Sequence, residues 1–310
     1  MFQSFLDVPS DYRGVEAMGT KEKLQRTYII ALLLTMLVWA GSFIFIKISL
    51  QEIKPYNLAF YRFILASPVL LLAVYLKRKL QSVKAEDLLR IVILAITGVT
   101  LLYAVQFVAL MYTTATNSSI LMNTSVIFIA VMSFFLGERF TKLKTLGLCL
   151  SFLGVMLVVS RGKFEFFSSK TFIGDMLIIF DGFLWAIYTI LGKSLLEKYG
   201  PDVLTAYAFG IGSILLFPFA LYEGITNPLS LSMTAWISLL YLSLLCSVFA
   251  YLVWYSALTA MEATKVAVFV YIVPFFTAIM AFSVLGEEIG IFTALGGILT
   301  MTGVYLVERH

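Results

Sequence analysis

The 310 residues are 61% apolar and only 13% charged, with a mean hydropathy of +0.97. That leaves too little polar surface to coat a soluble globule of this length. The net charge of +4 is distributed at the ends of apolar runs rather than over a polar domain, which argues against nucleic-acid binding. Cys149 and Cys246 fall inside apolar runs and the single histidine is the terminal His310, so neither a disulfide framework nor a metal site is expected. No cofactor motif is present.

Residues 1–26 are polar and of mixed charge, and lack a signal peptide's apolar core; they read as a cytoplasmic tail, with Met18 an alternative start to Met1. Ten apolar runs follow, near 27–48, 57–76, 88–111, 115–136, 143–160, 172–192, 203–222, 233–258, 263–285 and 289–307. Each is long enough to cross a hydrocarbon core as a helix. None alternates with a two-residue period, so barrel strands are excluded. The expected fold is therefore an all-α integral membrane protein with ten transmembrane helices. Lys77, Arg78, Lys79, Lys84, Arg90, Arg139, Lys142 and Lys144 gather on the side of the tail, against Lys47, Lys54, Arg161, Lys163 and Lys170 on the other. This bias places both termini in the cytoplasm of a multi-pass cell-membrane protein.

The chain also repeats itself. Trp39, Lys47 and Pro55 recur as Trp185, Lys193 and Pro201 at an offset of 146, and Tyr103, Ala109, Leu110 and Ala115 recur as Tyr251, Ala257, Leu258 and Ala263 at 148. Gly137-Glu138 recurs as Gly286-Glu287 at 149. A slow drift of this kind is what small loop insertions leave in a duplicated chain. The halves are 27–160 and 172–307, and five spans apiece make the second copy enter the membrane inverted. Inverted repeats are the common plan of secondary transporters, with the solute held at the midplane between them.

The Trp-to-Lys spacing with its following Pro, Tyr61-Arg62-Phe63 in span 2, Tyr103 through Ala115 in spans 3 and 4, and Leu136-Gly137-Glu138 with Leu285-Gly286-Glu287 resemble the EamA-type members of the drug/metabolite transporter superfamily over about residues 27–307. The resemblance implies a ten-helix, exporter-like permease of small metabolites, amino acids or drugs, with no enzymatic activity and no cofactor. Its partners would be the lipid bilayer and a small-molecule solute; a monomer and an oligomer are both compatible. The intramembrane carboxylate that related four-helix multidrug exporters carry in their first helix is missing here, because span 1 has no Asp or Glu. A channel and an intramembrane enzyme on lipid-linked substrates are the rival readings, the latter short of convergent acids and bases.

Several side chains are candidates for holding the solute. Thr116, Ser119 and Asn123 share one face of span 4, and Tyr103 and Gln106 lie in span 3. Their partners in the other half include Tyr251, Trp254 and Tyr271. With Trp39 and Trp185 these define an expected aromatic pocket suited to an amphipathic organic molecule; interhelical hydrogen bonding is the competing role for the Ser, Thr and Asn residues. Asp181, about nine residues into span 6, is too deep to reach water and is assigned to the same site. Arg62, about six residues into span 2, either snorkels to the interface or serves the site; pairing with Asp181 is allowed by depth. Asp175 and Glu262 sit near span ends, where solvation suffices. The inversion also puts one Lys and one Glu at each mouth, Lys47 with Glu287 on one side and Lys193 with Glu138 on the other. Each pair is expected to close its own mouth, directly or through water.

Overall fold

The computed structural model describes residues 16–76, 83–135, 141–162, 170–261, 266 and 268–309. Glu138, Glu262 and the first fifteen residues of the predicted tail lie outside this set. Among the described residues there are helices and no strands, as the apolar runs require when every backbone N–H and C=O in lipid must find an internal partner.

Among the described residues the ten helices are α1 (Glu16–Ser49), α2 (Pro55–Leu76), α3 (Ala85–Tyr112), α4 (Ala115–Met122 continuing as Thr124–Phe135), α5 (Lys142–Ser160), α6 (170–199), α7 (201–223), α8 (Met233–Ala260), α9 (Phe269–Leu285) and α10 (Ile291–Arg309). The first eight are long and apolar enough to cross a membrane, and α9 and α10 are shorter apolar helices. Side-chain oxygens of Thr114, Thr141 and Ser232 cap the starts of α4, α5 and α8. One boundary differs from expectation: the loop foreseen at 193–202 is absent. Helix α6 turns into α7 at Gly200 alone (φ 69°, ψ 164°), with Pro201 immediately after it.

Two features of the packing position the rest. Helices α5 and α10 touch backbone to backbone through their glycines. A Cβ on Gly303 would lie 2.4 Å from the Ser151 nitrogen and 2.5 Å from the Gly147 carbonyl oxygen. Gly303→Val should therefore cost about 1–3 kcal/mol, seen as a lower Tm of the purified protein in detergent; an unchanged Tm would refute this contact. The second feature is a widening of α3 at Ile96–Thr100 and of α8 at Tyr241–Phe249 into π-helical turns. The offset of 148 sets 96–100 opposite 244–248, so both halves are widened at matching places. Hydropathy is blind to such a change, because it leaves the apolar run intact.

The two ends of the bundle are tied by different polar contacts. Glu223, the last residue of α7, accepts hydrogen bonds from the N–H groups of Tyr56 (3.0 Å) and Asn57 (3.1 Å) and from Asn57 Nδ2 (2.9 Å). A carboxylate is thus set on the positive end of α2. At the junction of α6 and α7, Lys198 Nζ donates to both Asp87 oxygens at 3.0 Å and the Tyr199 hydroxyl donates to Asp87 Oδ2 at 2.9 Å.

Beside the Glu223 end, Glu52 accepts from the N–H (2.8 Å) and hydroxyl of Ser232. These bonds hold the Glu52 carboxyl below the usual carboxylate range. A group whose pKa is depressed by folding stabilises above its unfolded pKa and loses that contribution as pH falls through its folded pKa. Proteolysis of the 224–232 loop should therefore rise in wild type as pH drops below the ordinary glutamate range, whereas Glu52→Gln should be cleaved faster at neutral pH and change little with acid. Parallel pH profiles for the two proteins would refute the tie.

Candidate functional site

A cavity opens between the halves, walled mostly by apolar side chains, as small-molecule sites are. Of the predicted residues, Trp39, Tyr103, Gln106, Ser119 and Trp185 line it, together with Arg62. Trp39 and Trp185, at equivalent places in the two halves, stand edge to face with ring centroids 5.5 Å apart. The Trp39 indole N–H donates to the Cys246 carbonyl at 3.1 Å, which fixes the ring and leaves its carbon surface for contact.

Tyr251 and Trp254 form a second layer. Trp254 packs 5.5 Å from Trp39 and 5.6 Å from Trp185, and Tyr251 packs 5.7 Å from Trp185. The Tyr251 hydroxyl bonds that of Tyr103 at 2.6 Å and donates to the carbonyl of Gly98, inside the π-turn of α3, at 3.3 Å. Tyr251 and Trp254 are fully buried and Tyr271 nearly so. None of the ten residues expected in the pocket presents an exposed side chain.

Other predicted residues are placed elsewhere. Thr116 is not on the cavity wall and donates its hydroxyl and N–H to Glu287 Oε2. Asn123 is buried behind the wall and donates to the Ser119 carbonyl at 2.9 Å. The face of α4 that meets the cavity is Ser119, Met122 and Ser125, one step round from the expected stripe. Sequence reasoning also missed Ser42 and Phe43, which follow Trp39 by one turn and line the same space.

The buried charges are arranged differently from a simple pair. Arg62 is 1% exposed, so it does not snorkel. Its Nε donates to Ser247 Oγ at 2.7 Å, its Nη2 to the Tyr103 hydroxyl at 3.3 Å, and its guanidinium sits 4.2 Å from the centre of the Tyr103 ring. Asp181 is fully buried and accepts from Gln106 Nε2 at 2.7 Å. No ion pair joins it to Arg62 among the described residues. Asp175, expected in solvent, is also fully buried and accepts from the Thr113 hydroxyl. Helix α6 carries it into the protein interior, where the α3–α4 turn supplies the donor.

Lys47 and Glu287 converge on that same turn. Lys47 Nζ donates to the Thr113 carbonyl at 2.6 Å, and Glu287 accepts from the N–H of Ala115 at 2.7 Å and from the N–H and hydroxyl of Thr116 at 3.1 and 2.9 Å. The two side chains clasp the α3–α4 turn from either side, with no ion pair between them among the described residues. Lys193, at the opposite mouth, is exposed.

The profile of the EamA-like transporter family matches residues 26–160 and again 172–309. The chain is 58% identical to an uncharacterized transporter of Archaeoglobus fulgidus over 89% of this chain and 95% of that one. It is 29% identical to the uncharacterized transporter YyaM of Bacillus subtilis, over 89% and 92%. A protein of Streptantibioticus cattleyicolor named a probable terminal-alkyne amino-acid exporter is 26% identical over 90% and 93%. One solved structure shares the fold with a TM-score of 0.64 at 16% identity, covering 91% of this chain and 96% of that one. These relatives are named transporters and not enzymes. The twofold profile match, covering nearly the whole chain, places this multi-pass membrane protein in the EamA-like transporter family.

Proposed function

We propose that this membrane transporter is an alternating-access exporter of small organic metabolites, amino acids among them, working in the cell membrane with both termini cytoplasmic. The observation that carries this reading is the cavity itself, walled by Trp39 and Trp185 from equivalent positions of the two halves. Two five-helix halves inserted in opposite senses give two nearly equivalent conformations, each opening the shared cavity to one side. The amino-acid exporter among the relatives supports the solute class. The Lys and Arg bias supports the orientation.

Reconstitution into proteoliposomes tests the reading. Saturable counterflow of at least one solute from a panel of amino acids, nucleosides and cationic drugs is expected. Currents that rise with voltage and never saturate would replace the transporter reading with a channel.

A further inference from the structure

Arg62 is the charge that the fold leaves unexplained. It is all but inaccessible to bulk water, yet it forms part of the cavity wall. Its hydrogen-bond partners, Ser247 and Tyr103, are neutral hydroxyls. Among the described residues no carboxylate lies within ion-pair distance of it. A cation within the membrane-spanning layer is costly unless paired or facing a cavity, and a guanidinium has five donors of which these partners take two. Asp181 has its own neutral donor in Gln106, and Gln106 is the residue of that pair that reaches the cavity wall. The cavity therefore has a fixed positive wall beside apolar surfaces from Trp39, Trp185 and Phe43.

From this geometry we infer that the cavity binds organic carboxylates, the carboxylate on Arg62 and the apolar body against the Trp39–Trp185 pair. Arg62 presents a planar fork that matches a carboxylate's two oxygens. Its stacking on Tyr103 and its bond to Ser247 hold the fork in place before the solute arrives. The inference rests on the transporter reading above for its biological use, and the binding site itself can be tested apart from transport.

The test is calorimetric titration of the full chain in nanodiscs with a panel of monocarboxylates, such as 3-phenylpropanoate and hexanoate, each beside its neutral amide, and with 3-phenylpropylamine as the cation. At least one acid should bind about tenfold or more tighter than its amide, as expected for a charge-assisted bond in a shielded site, and the amine should bind no better than the amide. Arg62→Gln should erase the preference for the acid while leaving amide binding in place. No acid exceeding its amide, or a preference that survives Arg62→Gln, overturns the inference. If Arg62→Gln is recovered misfolded, the wild-type acid and amide comparison decides. Counterflow of neutral or cationic solutes without any carboxylate preference would keep the transporter reading and remove this one. Carboxylate preference without counterflow would do the reverse.

Discussion

Glu287→Ala should open the Lys47 mouth. The carboxylate holds two backbone N–H groups and a hydroxyl at the start of α4, and hydrogen bonds to a charged group contribute about 1.5–3 kcal/mol each. Losing even one such contribution shifts a two-state equilibrium by about tenfold or more. The readout is Ser119→Cys, a buried position on the cavity wall, in a chain whose Cys149 and Cys246 have been replaced. Labelling by an impermeant thiol reagent from the Lys47 side should be slow with Glu287 present and about tenfold faster or more with Ala there. Equal rates would show that the clasp holds nothing shut.

The repeat extends this prediction to the opposite mouth. The offsets that relate the halves carry Thr113 to Met261 and Ala115 and Thr116 to Ala263 and Thr264. In the opposite-facing state Lys193 is expected to reach the Met261 carbonyl, so Lys193→Ala should bias the protein toward the conformation described above. A structure of that state with Lys193 remote from Met261 would end the idea of matched clasps.

Gly98→Ala should be among the most damaging single substitutions in the chain. A Cβ there would sit 1.8 Å from Tyr188 Cδ2 and 2.2 Å from Cε2. The Tyr188 ring has little room to yield, because it is stacked on Tyr255 at 5.2 Å and packed on Trp185 at 5.5 Å. Overpacking of this degree costs about 3 kcal/mol, enough to lower the yield of monodisperse protein severely. Tyr188→Leu in the same chain should restore much of it, since the two effects meet in one contact and are not additive. If the double variant is no better than Gly98→Ala alone, the clash is not the cause.

What could be read from the chain, and what could not, divides by the range of the interaction. The helices were legible because apolar runs of membrane length have few other solutions, and the Trp39–Trp185 pair because duplication put the same ring in both halves. Arg62 was ambiguous because sequence depth alone cannot separate snorkelling from burial; Ser247, 185 positions away, and Tyr103 decide it. Glu287 was recognisable as a mouth residue, but its targets are backbone N–H groups, which leave no side-chain pattern to match. Thr116 looked like a site residue on the helical wheel and was diverted by that same carboxylate. The π-turns in α3 and α8 shift the register of the residues beyond them with no compositional trace.

The one-residue junction at Gly200 also has a mechanical consequence. With no slack between them, a tilt of α6 would be passed directly to α7 at one end of the bundle. Displacement of α6, which bears Trp185 at the cavity, would then be passed along α7 to Glu223, which holds the first turn of α2, the helix that bears Arg62. A load on the Trp185 side of the cavity would thus reach Arg62 by a route outside the cavity.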